Sequence, residues 1–447
     1  MGDSRESWRA LLLLALLSCM VGTASGLVVA LFRIALEWGD RWRDAWITYA
    51  HAWPLAGLLV TIGGVAALAA AAAWLVQHFS PEAAGSGIPR VEAVARDELS
   101  PASFRVLPVK FIGGWLAIGG GLALGREGPS VQMGAILASR LAKMFRLTEI
   151  DLTALVAAGG GAGLAVAFNA PIAGAVFVLE ELVRRLDTQI CVAALGASCC
   201  AIAIARMLLG DGPDFKVAAL PMSGLGSGIL FVALGALAGL GGVLYNTAIL
   251  GILKLGARSR WPQEFRAALI GGVVGMLAWF APGLVGGGEA IAQGTLSGAA
   301  PIRLLPLFFG IRFVLGPLSY AAGTPGGLFA PMLVLGAQLG VLFSALCHLT
   351  APHLSVSPSA FAIVGMAAFF TAVVRSPITG IVLVTELTAG FTLLIPMLWA
   401  SFAAMLIPTL LGNMPIYDSL SQPRFLRRRG EQSSEPADAG SNAPIQN

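Results

Sequence analysis

Three short runs in this sequence set glycine and proline around residues able to handle ions. They are Gly85-Ser86-Gly87-Ile88-Pro89, Gly125-Arg126-Glu127-Gly128-Pro129 and Gly326-Gly327-Leu328-Phe329-Ala330-Pro331. Glycine on both sides of Arg126-Glu127 opens backbone conformations that other residues resist. Pro129 suits the first turn of a helix, where an N–H has no partner to lose. The unpaired N–H groups and positive dipole end of the helix that follows make an anion site. Glu127 stands where the anion would, so its carboxylate competes with a free anion for the same N–H groups, and protonation would release the site. A simple capping role in the first turn is the alternative for it. Gly326 and Gly327 repeat this logic, with Pro331 entering the next helix. Ser86 adds a hydroxyl donor, or serves as an ordinary turn or cap residue.

The other candidate chemistry is acidic. Glu180 and Glu181 close the apolar run IAGAVFVL, where one charge at mid-bilayer depth costs about 2.5–3.5 kcal/mol by insertion scales. Each must pair, face water or carry a proton part of the time. Arg184 is within helical reach as an ion-pair partner, and a proton relay is the functional alternative. His51, His78, His348 and His353 are scattered, the five cysteines show no metal-ligand spacing, and no HExxH or Walker-type lysine motif occurs. The sequence therefore predicts no catalytic residue, no metal site and no cofactor. An intramembrane enzyme has nothing here to support it.

The elements that must position these residues follow from composition. Charged residues are 12% of the 447 and hydrophobic ones 57%, whereas a soluble domain carries about 25% charge. Too little charge remains to cover a water-facing surface, and the long apolar runs do not alternate as barrel strands would. An all-α polytopic membrane protein is predicted. The run from Ala10 continues through LVVALFRIALEW to Trp38, long enough to stay as a first membrane helix rather than a cleaved signal. Segments such as Val131 to Phe145, Ile172 to Leu186 and Ile378 to Leu387 are too short to span in one piece. With Gly and Pro between them they read as broken helices, tolerated where buried in protein or lining a cavity. The stretch after Pro415 reads as water-facing, and the tail 430–447 as too polar to bury. Arg5 and Arg9 before the first apolar run, and Arg424, Arg427, Arg428 and Arg429 after the last, place both termini in the cytoplasm. No nucleic-acid role is assigned to that basic run.

An internal repeat is visible. At a constant separation of 206, Pro171, Ile172, Gly174, Val176, Val178 and Glu180 match Pro377, Ile378, Gly380, Val382, Val384 and Glu386. At 202, Gly125, Pro129, Gly134, Ala135 and Leu137 match Gly327, Pro331, Gly336, Ala337 and Leu339. Repeats of this kind in membrane transporters place the substrate site between the halves, where interrupted helices aim their N-termini at it. Glu386 then reads as a capping or packing carboxylate.

In this order, GSGIP at 85–89, GREGP at 125–129, GGLFAP at 326–331 and a late Tyr417 resemble the CLC family of chloride channels and transporters. VLPVKF at 106–111 and FNAPIAG at 168–174 are most similar to its bacterial chloride/proton exchanger branch. The resemblance covers the chain from the first helix to about Phe425. It implies two inverted-topology halves of tilted, partly broken helices, here about 10–215 and 225–420 within a transmembrane unit 10–427, between a cytoplasmic segment 1–9 and a disordered cytoplasmic tail 430–447. It also implies a homodimer with one pore per subunit in a bacterial inner membrane. By the same resemblance, Ser86 and Tyr417 place hydroxyls on a central chloride, and Leu328 and Phe329 contribute backbone N–H groups. Glu127 is the external gating glutamate and Glu181 the internal proton-transfer glutamate, with Glu180 beside it and Glu92 as a helper. Leu328 stands where the family often has Ile, with little consequence because the contact is a backbone N–H. The resemblance also implies that Ser86 favours chloride over nitrate. Exchange of chloride for protons is the activity implied. A passive voltage- or pH-gated chloride channel using the same site is the alternative, against which Glu181 counts.

Overall fold

A computed structural model describes residues 2–218, 227–299, 301–350 and 356–421. The tail 430–447 and the basic run from Arg424 lie outside the described residues. The first set of helices is α1 (Gly2–Ala50), α2 (Pro54–Phe79), α3 (Ile88–Ala95), α4 (Val106–Gly114), α5 (Glu127–Met144), α6 (Glu149–Phe168), α7 (Pro171–Phe177) and α8 (Thr188–Leu209). The second is α9 (Gly228–Arg258), α10 (Gln263–Phe280), α11 (Glu289–Leu296), α12 (Leu305–Ala321), α13 (Phe329–Thr350), α14 (Pro358–Val374), α15 (Pro377–Thr388) and α16 (Leu394–Leu410), with α17 (Ile416–Ser421) last. The protein is an all-α membrane protein of two inverted halves built largely from interrupted helices. Seven of the described helices are long and apolar enough to cross a membrane.

Local chemistry sets many of these boundaries. Pro54, Pro171, Pro358 and Pro377 enter α2, α7, α14 and α15 in the first turn, where a missing N–H costs nothing. Thr148 caps α6 through the Asp151 N–H and Ser357 caps α14 through the Ala360 N–H. Asn169 after α6 and Arg375 after α14 both turn left-handed, at φ 50° and 74°, and each delivers the chain to a proline-started helix. The stops and starts therefore repeat, as the apolar pattern does.

Lipid is as apolar as leucine, so helices here gain by close packing of small residues more than by burying oily ones. Two long helices, α6 and α14, are buried through most of their length. Each packs against the helix carrying a glycine-rich N-terminus, α6 on α5 and α14 on α13. A Cβ on Gly134 would lie 2.1 Å from the Gly159 carbonyl oxygen, and one on Gly336 2.4 Å from that of Gly365. Leu55, Leu195, Leu349 and Phe402 point outward instead.

Two differences from the sequence reading bear on the site. The stretch after Pro415 is not water-facing: α17 turns back inside, with Ile416 and Tyr417 fully buried, because its apolar positions fit against α3 and α14. The acidic pair does not close a regular helix. The chain widens into a π turn over Val178–Leu182, a distortion frequent at functional positions.

Candidate functional site

The three glycine-proline runs meet backbone to backbone. The Gly85 N–H donates to Thr324 O at 3.0 Å and the Gly326 N–H to Gly85 O at 3.1 Å. Gly125 and Gly327 exchange N–H to carbonyl bonds at 2.9 and 2.7 Å. Residues far apart in the chain thus form one ring at the N-termini of α3, α5 and α13.

Glu127 turns into this ring. Its Oε1 accepts the Phe329 N–H, at the start of α13, at 2.6 Å. The carboxylate lies against bare backbone: a Cβ on Gly125 would sit 2.0 Å from Oε2, and one on Gly327 2.2 Å from Oε1. Any side chain at either position would drive Glu127 out. Gly128 abuts Ser86 in the same way, since a Cβ there would be 2.6 Å from Ser86 Oγ. Ser86, Glu127, Leu328, Phe329 and Tyr417 are all fully buried. Ser86 Oγ and Tyr417 Oη approach one another, yet neither makes a hydrogen bond meeting ordinary geometry among the described residues. Two buried hydroxyls facing one another beside a helix N-terminus are donors that suit an anion able to accept their protons. The Phe329 ring packs among Phe370, Phe177 and Tyr417, at centroid distances of 4.7, 5.8 and 5.8 Å.

Sequence reasoning missed the groups that shape the ring. Lys110, from α4, is fully buried and donates to the carbonyls of Ala83 and Gly85 at 3.0 and 2.7 Å. Its counterpart in the second half, Arg312 from α12, donates to Leu284 O, Gly286 O and Gly287 O at 3.2, 2.8 and 3.2 Å. Each cation grips the turn before a short helix, and each turn needs left-handed glycines, Gly85 and Gly87 at φ 65° and 84°, Gly286 and Gly288 at 72° and 93°. The second turn shares too few letters with GSGIP to be matched by eye. The shared signal is a lone cation inside an apolar segment, in VKF and in IRF. Such a residue must be paired or placed on a pathway. Ser319 Oγ also accepts the Ala123 N–H at 3.0 Å.

Arg126 faces away from the ring. It donates to Ala167 O at 2.7 Å and pairs with Asp214 and Glu289, both at 2.8 Å, while Arg33 of α1 pairs with Asp214 at 3.0 Å. A cavity of about 200 Å³ lies among these charges and reaches the ring at Ala330. Asp214, on the connection after α8, carried no motif to find it by.

The acids separate in role. Glu180 crosses to the other half and accepts the N–H groups of Ile378 and Thr379 at 3.0 and 2.6 Å. Glu386 returns the favour at Ile172 and Ala173, at 3.1 and 2.8 Å. The repeat thus caps itself reciprocally, a favourable use of carboxylates at helix N-termini. Glu181 stays inside, 2% exposed, with Oε2 accepting the Ser376 hydroxyl at 2.5 Å. Arg184 reaches Glu181 only at 3.6 Å and prefers Asp418, at 2.7 Å.

A profile of the voltage gated chloride channel family matches residues 67–409. The chain is 37% identical over 413 residues to the H(+)/Cl(-) exchange transporter ClcA of Vibrio parahaemolyticus, covering 91% of this chain and 88% of that protein. It is 36% identical over 451 residues to ClcA of Salmonella typhimurium, covering 96% and 91%. A solved structure of a slow cyanobacterial Cl-/H+ antiporter superposes with a TM-score of 0.88 at 31% identity, over 94% of this chain and 99% of that one. A CLC-type fluoride/proton antiporter, 23% identical, shares the fold with a TM-score of 0.76, over 91% of this chain and 97% of the other.

Proposed function

The chain belongs to the voltage gated chloride channel family, and from that premise we propose that it is a secondary active antiporter exchanging chloride for protons across a bacterial inner membrane. The observation that carries this reading is Glu127: one ionisable carboxylate accepts the Phe329 N–H at 2.6 Å, a hydrogen bond that a chloride in the ring would also need.

Chloride is held by the N–H groups of Leu328 and Phe329 and by the hydroxyls of Ser86 and Tyr417, within the ring of Gly85 to Pro89, Gly125 to Pro129 and Gly327 to Pro331. Lys110 holds the Gly85 carbonyl that the ring is built on. Charged Glu127 and chloride exclude one another from the α13 N-terminus. A proton neutralises Glu127, weakens its hydrogen bond and lets chloride in. Glu181, buried and held by Ser376, passes the proton between Glu127 and the cytoplasmic side. Proton and anion are thereby tied to a single side-chain movement, which a passive pore would not need. Family membership supports a homodimer with one pore per subunit, and the arginines flanking the apolar region support cytoplasmic termini.

The test uses purified protein in liposomes. With a chloride gradient imposed, protons should move uphill, driven by chloride. Chloride flux without proton movement would establish a passive channel, and absence of both fluxes would remove the family activity altogether. Glu181→Gln should stop proton movement and leave chloride flux.

A further inference from the structure

The sequence does not announce the charge cluster around Arg184. One guanidinium nitrogen, Nη2, lies 2.7 Å from Asp418 Oδ1, 3.2 Å from Glu92 Oε1 and 3.6 Å from Glu181 Oε1. Nη1 adds a second bond to Asp418 at 3.2 Å. These groups come from separate elements: Glu92 from α3, Glu181 from the π turn, Asp418 from α17, and Arg184 from a left-handed residue at φ 54° that swings its side chain back under them. Arg96 pairs with Glu92 and donates to Glu181 O at 3.2 Å. Among the described residues, Arg90 is engaged with Glu82 and Arg375 with the carbonyls of Ala372 and Asn413, while Arg185, beside Arg184, is exposed and makes no ion pair with the three acids.

Three carboxylates therefore face two guanidiniums. Arginine keeps its proton in proteins, so the cluster is neutral only when its carboxylates share one proton. Exposure is graded across it. The side chains of Glu92 and Glu181 are 2% and 3% exposed, against 22% for Asp418 and 39% for Arg184. Glu180, the other acid next to Glu181, is committed to capping α15.

On the premise of the exchange reading above, we propose that Asp418, Glu92 and Glu181 form a proton-loading station on the cytoplasmic side of the pathway, with Arg184 as the positioning residue that holds them together. Asp418 takes a proton from hydronium at the water-facing edge. The cluster goes from a net charge of −1 to zero, with the proton shared between Glu92 and Glu181, the two buried acids. Its departure toward Glu127 restores the charge, and Arg184 stays protonated throughout. Because one proton neutralises the cluster, a second would leave one cation uncompensated, which opposes double loading.

The test compares proton movement per chloride in liposomes containing the full-length protein. Asp418→Asn and Arg184→Gln should each lower that ratio several-fold while chloride flux falls by less than twofold. Asp418→Glu and Arg184→Lys should recover most of it. Proton movement in Asp418→Asn should also lose its dependence on cytoplasmic-side pH, which a structural role would not alter. If Asp418→Asn does not fold, Asp418→Ser and Arg184→Gln carry the same comparison. An unchanged ratio in variants that still transport chloride, or chloride and protons falling in parallel, overturns the loading station while wild-type exchange stands. A wild-type protein that moves chloride but no protons overturns the exchange reading and this proposal together.

Discussion

Competition between Glu127 and chloride for one N–H can be given a size. Glu127 Oε1 accepts the Phe329 N–H at 2.6 Å, a short charge-assisted bond. Such bonds contribute about 1.5–3 kcal/mol, against about 0.5–1.5 kcal/mol when both partners are neutral. Protonating Glu127 therefore weakens its hold on the α13 N-terminus by about 1.4 kcal/mol, which is about tenfold in an equilibrium constant. Chloride must displace the side chain to bind, so its apparent affinity inherits that factor. The sign is fixed: a carboxyl loses its charge as pH falls, so chloride should bind about tenfold tighter on the acid side of the carboxyl titration than on the alkaline side. Glu127→Ala has no competitor, and its affinity should match or exceed the acid limit of the wild type at every pH. Chloride binding by titration calorimetry in detergent, for both proteins across the pH series, measures this. Glu127→Ala with the same pH slope as the wild type would refute the competition, because the slope would then belong to another group.

Gly327→Ala places a Cβ 2.2 Å from Glu127 Oε1 and 2.9 Å from the Gly128 nitrogen, so it should expel the glutamate and flatten the pH dependence of chloride binding much as Glu127→Ala does. A retained slope would show that the ring yields instead. Glu386→Ala removes the acceptor for the Ile172 and Ala173 N–H groups and should cost about 1–2 kcal/mol, as lost N-caps do. A fall in the thermal unfolding midpoint in detergent, with proton-to-chloride coupling unchanged, checks it. Lys110→Met strips a donor from the buried carbonyls of Ala83 and Gly85. Gly85 O keeps the Gly326 N–H, so the cost is that of the Ala83 carbonyl, roughly 1–3 kcal/mol; the midpoint should fall by a measurable amount, and an unchanged midpoint would count against the grip assigned to it.

What was legible in the sequence was whatever depends on local backbone chemistry and lipid. Scarce charge and long apolar runs dictate helices in a membrane. Glycine and proline dictate where helices break, because they alone alter which N–H groups and φ angles are available. For Glu386 the repeat left capping or packing open, and no cap was expected of Glu180; which N–H groups each carboxylate meets depended on the two halves coming together. The ring itself was legible as three motifs but not as one object, since its bonds join Gly85 to Thr324 and Gly125 to Gly327.

Other features had no local signal. Lys110 and Arg312 grip turns that precede them by more than twenty residues, and Asp214 gathers Arg33 and Arg126 from two distant segments. Tyr417 was expected at the anion only by resemblance, because the polar letters around it suggested water. Packing of α17 against α3 and α14 buried it. The neighbouring Asp418 was thereby delivered to Arg184. By itself the sequence determined the solvent, the helices, their breaks and the kinds of atom offered to an anion. Only the tertiary structure decided which carboxylates face N–H groups and which face one another, because the energy of a buried charge is set by its neighbours in space, and in this chain those neighbours come from opposite halves.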